Sequence, residues 1–109
     1  MTYDKTLAQR IRAILRRKRD VSEMEQFGGI GFLIRGNMAC GVLGKELLVR
    51  VGPANHEEAL RNKSAKPFAI SGRPSKGWVL ARASGLKADA DLEKWVELGV
   101  KFARSLPAK

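Results

Sequence analysis

The residues that could carry acid–base, nucleophilic or metal chemistry are few and poorly spaced for it. The only histidine is His56 and the only cysteine is Cys40, so the chain can assemble neither a Cys/His zinc set, nor a disulfide, nor a Cys–His nucleophile pair. His56 precedes Glu57 and Glu58, but adjacent positions point in different directions, and two acids suit the first turn of a helix better than a general base or metal site. Ser71, Ser75 and Ser84 lack the flanking glycines of a nucleophile elbow, and no paired carboxylates stand out among the interior positions. Gly28-Gly29-Ile30-Gly31 is superficially like a nucleotide-binding glycine loop, but the last glycine of that fingerprint is missing and a strand, not a helix, follows. A turn with room for sheet twist is the better reading. These residues lead us to expect a protein that is not an enzyme, takes no cofactor and binds no metal.

Positive charge, by contrast, is abundant. The 21 Lys and Arg against 11 Asp and Glu leave a formal charge of +10, which favours anionic partners such as nucleic acid. Two stretches contain no acid: Lys5 to Arg19, and Ala59 to Ala88. In the first, Lys5, Arg12, Arg16 and Arg19 fall on one side of a helical projection, opposite Leu7, Ala8, Ile11, Ile14 and Leu15. Guanidinium forks match phosphate. Arg12, Arg16 and Arg19, together with Arg73 and Lys76 in the second stretch, are therefore the candidate nucleic-acid contacts. Trp78 could stack on a base, although its place at the start of a strand favours the core. The same charges also have a plainer account as a solvated face with cations at a helix C-terminus, where the macrodipole favours them.

The elements that must position these residues follow from periodicity. One amphipathic helix is expected from about Asp4 to Arg17. Val21 to Phe27 is weakly patterned; Ile30 to Ile34, Met38 to Leu43 and Glu46 to Val51 then form a meander, with two-residue turns at Gly36-Asn37 and Gly44-Lys45. That register sets Phe32 opposite Gly41. It puts Leu33, Cys40, Leu47, Val49 and Val51 on one face and Ile30, Phe32 and Ile34 on the other, so the sheet is either covered twice or meets a partner on one face. Pro53 and Asn55 open a short helix. Phe68 to Ile70 and Trp78 to Ala81 form a strand pair joined by a long exposed loop from Ser71 to Gly77. A second amphipathic helix runs from Asp89, buries Trp95, and stops at Pro107. The fold class is α+β: a two-layer domain over residues 1–109, its antiparallel sheet flanked by N- and C-terminal helices. No apolar run nears the roughly 20 residues that span a bilayer and no signal core follows Met1, so a cytoplasmic location without membrane contact is expected.

Met24 to Gly29, Gly36-Asn37-Met38, Leu48 to Gly52, Gly72 to Trp78 and Trp95 to Leu106 occur in an order and at spacings that resemble the N-terminal domain of the TfoX/Sxy regulators over nearly the whole chain. The most specific pieces are the Phe27-Gly28-Gly29 turn, the Gly72 to Trp78 loop and the closing Phe102 to Pro107. The resemblance implies a helix, a meander, a short helix, a hairpin and a final helix. It also implies a role like that of the family's named members, which act in bacterial competence as coactivators of transcription alongside the cyclic-AMP receptor protein and carry a second, C-terminal domain. The expected function is a non-enzymatic bacterial regulatory domain that associates with nucleic acid or the transcription machinery, including a transcription factor, through its basic surface. The alternative is a protein-interaction adaptor or homodimerising module that binds no nucleic acid, using the Ile30, Phe32 and Ile34 face or an edge strand.

Overall fold

Asp4 lies in extended backbone, and its carboxylate accepts the Leu7 N–H at 3.1 Å, capping the first helix, α1 (Lys5–Leu15). The computed structural model describes residues 3–26, 28–70 and 72–109. After α1 come β1 (Val21–Gln26), β2 (Gly29–Ile34), β3 (Asn37–Leu43) and β4 (Glu46–Arg50). A 3-10 turn, Pro53–Asn55, leads into α2 (His56–Leu60), followed by β5 (Ala65–Ile70), β6 (Arg73–Ala81) and α3 (Asp89–Arg104). Asp89 and Asp91 in the first turn of α3, with Lys101 and Arg104 in its last, complement the helix dipole. The described strands form a six-stranded antiparallel sheet in the order β1-β2-β3-β4-β6-β5, so the fold is α+β as the sequence indicates.

The register of the first hairpin differs from the one expected. The turn is Arg35–Gly36, not Gly36-Asn37: Ile34 pairs with Asn37, and both turn residues have positive φ, 54° and 83°. This is the backbone of a type I′ turn. Asn37 is left free for another task, and its side-chain amide donates to the Pro107 carbonyl at 2.9 Å. A bulge then leaves Ala39 unpaired between Met38, opposite Leu33, and Cys40, opposite Phe32. The combined effect moves Cys40 onto the face of Phe32, so Ile30, Phe32, Ile34, Cys40, Val42, Leu47, Val49, Val79 and Ala81 share one core with α1 and α3. The expectation that Ile30, Phe32 and Ile34 occupy a separate face, free to pair with a second copy, is thereby corrected.

That core is closed by Leu7, Ala8, Ile11 and Leu15 of α1 and by Leu92, Trp95, Val96, Val100 and Ala103 of α3. Gly99 lets α3 approach the sheet closely, since a Cβ there would stand 2.2 Å from the carbonyl oxygen of the bulged Ala39. The expected loop from Ser71 to Gly77 is largely strand, because β6 begins at Arg73, which pairs with Ile70. Pro74 is tolerated there because β4 reaches β6 only at residues 78–81, so β6 below Trp78 has β5 as its single neighbour. Ser71 lies outside the described residues, as do Met1, Thr2 and Phe27. No described helix is long and apolar enough to cross a membrane.

Candidate nucleic-acid interface

Both ends of α1 are fixed along the strand direction by backbone hydrogen bonds. At its start Asp4 N–H donates to the Gly44 carbonyl at 2.7 Å, next to the β3–β4 turn. Beyond its end Arg35 N–H donates to the Asp20 carbonyl at 2.9 Å, beside the β2–β3 turn. The C-terminus of α3 reaches the same place: an Arg104 guanidinium N–H donates to the Arg19 carbonyl at 3.2 Å, and Lys109 N–H to the Arg35 carbonyl at 2.9 Å. β4 also ends at this pole of the sheet with Arg50, and Arg73 to Gly77 of β6 project past it. The Gly77 carbonyl accepts from Val51 N–H and Gly52 N–H at 2.8 and 3.0 Å, holding the projecting hairpin against the end of β4.

Arg16, Arg17, Arg19, Arg35, Arg50, Arg73, Lys76, Arg104 and Lys109 therefore gather at one end of the sheet. The acids among them are Asp20, 3.7 Å from Arg35, nearby Glu97, 2.8 Å from Lys18, and the exposed Glu57, next to the His56 that is bonded to Gly77. At the opposite end both signs are mixed: Asp4, Glu25, Glu46 and Asp89 stand among Lys5, Lys45, Lys63 and Lys66. Glu46 pairs with Lys66 at 2.8 Å, and Asp89 with Arg10 at 3.0 Å. The cationic pole is rich in arginine, the other in lysine.

Four of the five candidate residues, Arg16, Arg19, Arg73 and Lys76, are exposed at this pole and make no ion pair among the described residues. They form two groups rather than one. Arg16 and Arg19 flank β1, and Arg73 and Lys76 lie on β6, four strand steps away, or roughly 19 Å at about 4.8 Å per step. Arg35, Arg104 and Lys109 fall between the groups. Sequence reasoning missed them because they are single charges far apart in the chain; the only available signal was Arg104 in the last turn of an acid-led helix. Arg12 belongs to neither group. Its guanidinium donates two bonds to the Glu23 carboxylate, at 2.7 and 2.9 Å, and is held there. The same bonds hold the Glu23 carboxyl below the usual carboxylate range and push Arg12 further up.

The remaining chemistry-bearing groups have structural partners. His56 Nδ1 accepts the Gly77 N–H at 2.9 Å, tying α2 to β6. Burial pushes the Cys40 thiol up to about 12, which leaves it unreactive at neutral pH. Trp78 is half-buried and outside the core, contrary to the core reading, and the Arg50 guanidinium lies 5.2 Å from its ring centre and 5.4 Å from that of Phe102. A groove of about 660 Å³ runs between α2 and α3, floored by Trp95, Leu98 and Phe102. Its rim carries both signs, Glu58 and Asp91 with Lys94 and Lys101, and among the described residues no buried side-chain polar atom is left unpaired. Nor do the described residues contain a group of three or more His, Cys, Asp or Glu able to hold a metal.

Comparison with known families matches residues 13–103 to the TfoX N-terminal domain. The chain belongs to that family. No curated protein and no solved structure matches it. The family match spans the end of α1 through almost all of α3, and hence nearly every element that builds the cationic pole of this TfoX N-terminal domain. Membership makes this a domain of the regulatory, competence-associated type.

Proposed function

We propose that this TfoX N-terminal domain is a non-enzymatic, cytoplasmic regulatory module that binds nucleic acid through its arginine-rich pole, without strong sequence preference. The observation that carries the reading is the convergence of α1, the β2–β3 turn, the β5–β6 hairpin and the end of α3 on one cationic surface. Its separation of about 19 Å between Arg16 or Arg19 and Arg73 or Lys76 exceeds the ~12 Å width of a major groove, so the two groups can reach phosphates on both its sides. Arginines that contact phosphate give affinity without sequence readout.

Fluorescence anisotropy with a labelled duplex tests this. With about four phosphate contacts, affinity should fall roughly a hundredfold between 50 and 200 mM salt. Reversal of Arg16 and Arg19 to Glu should weaken binding sharply at low salt while leaving the fold intact, since both side chains are exposed and make no ion pair among the described residues. Absence of binding at low salt would end this reading and leave a protein-interaction adaptor.

A further inference from the structure

Arg50 closes β4 at the cationic pole, and its surroundings differ from those of the other arginines gathered there. Its guanidinium carbon lies 5.2 Å from the centre of the Trp78 ring and 5.4 Å from that of Phe102, so two aromatic rings adjoin one cation. A cation over a ring is held by the π face and spends no N–H on it. Among the described residues Arg50 makes no side-chain hydrogen bond and no ion pair. No buried side-chain polar atom is left unpaired among them, so the half-buried Arg50 keeps its unpartnered nitrogens open to solvent. Both rings are held by backbone. Gly52 has φ 89°, and a Cβ there would stand 2.5 Å from Phe102 Cδ1, so the Phe102 ring lies directly on bare main chain. Trp78 faces Arg50 across the β4–β6 pair, and Gly77 before it is fixed at both its polar groups: its N–H donates to His56 Nδ1 at 2.9 Å, and its carbonyl accepts from Val51 and Gly52. Three segments singled out in the sequence, Leu48 to Gly52, Gly72 to Trp78 and Phe102 to Pro107, thus meet around one guanidinium.

We propose that Arg50, preset by Trp78 and Phe102, is a phosphate-binding fork and the anchor of the cationic pole on a nucleic-acid backbone. A guanidinium offers parallel N–H donors that match two oxygens of one phosphate, which a point charge such as an ammonium cannot do. An exposed arginine gives up side-chain freedom when it grips an anion, whereas one already packed against two rings has given it up on folding. Arg50 therefore holds a phosphate more tightly than its fully exposed neighbours Arg73 and Lys76, which supply charge without a fixed direction. Its place suits an anchor. β4 lies one strand step from β6 and three from β1, so Arg50 stands roughly 5 Å from the line of Arg73 and Lys76 and 14 Å from that of Arg16 and Arg19, at about 4.8 Å per step. A backbone that runs from one outer group to the other passes over it.

The anchoring role rests on the nucleic-acid reading above, the phosphate site itself does not, and two ligands separate them. Inorganic pyrophosphate, exchanged for sodium acetate at constant ionic strength, should change the tryptophan emission of the wild-type chain at millimolar concentration. The response should vanish in Trp78→Phe, which removes the reporting indole and keeps a ring beside Arg50. Arg50→Lys keeps the charge and loses the fork, so with an unchanged circular dichroism spectrum it should move the pyrophosphate titration to about tenfold higher concentration or more. It should weaken binding of a labelled duplex by a similar factor and leave the slope of log affinity against log salt as in the wild type. No emission response in the wild type, or one with the same midpoint in Arg50→Lys, overturns the fork even where the duplex binds. A response retained in Trp78→Phe arises at Trp95 and overturns it equally, and a duplex bound as tightly by Arg50→Lys as by the wild type removes Arg50 as the anchor. A wild-type chain that answers pyrophosphate but binds no duplex ends the nucleic-acid reading alone and leaves the fork to a free phosphate compound.

Discussion

Cys40 shows how much can depend on one position. It is fully buried opposite Phe32 and Val49, and its thiol is pushed up to about 12. A cysteine in an unfolded chain ionises near 8.5, so above that pH the unfolded state gives up a proton that the folded state keeps. Stability that is fully present below about pH 8.5 should then decline as pH rises toward 12, by up to ~1.4 kcal/mol per pH unit. Denaturant midpoints measured from pH 7 to 10 should fall more steeply for the wild type than for Cys40→Ala. A thiol reagent should label Cys40 only as fast as the domain unfolds. In the register read from the turn dipeptides alone, Cys40 shares a face with Leu33, which the structure leaves uncovered by helix. Rapid labelling in native buffer would therefore restore that register and refute the bulge at Ala39. His56 was legible as structural from its place before two acids, but its bond to Gly77 N–H joins residues 21 apart and leaves no local trace.

At the scale of elements, α1 and α3 were legible because an apolar stripe at helical spacing, an aspartate at the start and cations at the end all agree. The meander was legible in its strands but not in its faces. Side chains alternate with a period of two, so the moved turn, which shifts the register by two residues, changes partners but not faces, and the one-residue bulge then carries Cys40 and Val42 onto the face of Phe32 and Ile30. Nothing local marks Arg35 for positive φ, and the adjacent Gly36-Asn37 is the better-looking turn pair. β1 was obscured because Ser22, Glu23, Glu25 and Gln26 make it polar, as suits an edge strand. The bulge also makes a prediction about α3. Gly99→Ala improves helix propensity by about 1 kcal/mol, yet the added Cβ meets the Ala39 carbonyl, a backbone group with no side-chain freedom to yield. Overpacking costs about 1–3 kcal/mol and more where backbone must move, so the net change should be a loss of about 1 kcal/mol or more. Chemical denaturation measures it directly, and a stabilised variant would show that α3 does not pack on the bulge.

Across the whole molecule, the acids and bases of the chain are sorted by strand direction. The pole where α1 and α3 end collects arginine, and of the acids near it Asp20 and Glu97 are already paired with Arg35 and Lys18. The sequence displays the charge total and the two acid-free stretches, but their relative placement is a property of topology. Arg16 and Arg73 are 57 residues apart in the chain yet lie at the same end of one sheet. This arrangement separates a shared ligand from two independent basic patches. If one duplex spans the pole, reversal of Arg16 and Arg19 and reversal of Arg73 and Lys76 should each lower the slope of log affinity against log salt by about 1.8, at ~0.9 per phosphate contact. Arg12→Glu should leave that slope unchanged, because Arg12 is bonded to Glu23, and should instead reduce stability by setting two carboxylates against each other. Salt titrations of the three variants against the wild type decide the matter. A slope that responds only to Arg16 and Arg19 would confine the contact to the end of α1 and leave the β5–β6 hairpin out of the nucleic-acid surface. A slope that drops with Arg12→Glu would mean that the Glu23 pair opens when the ligand arrives.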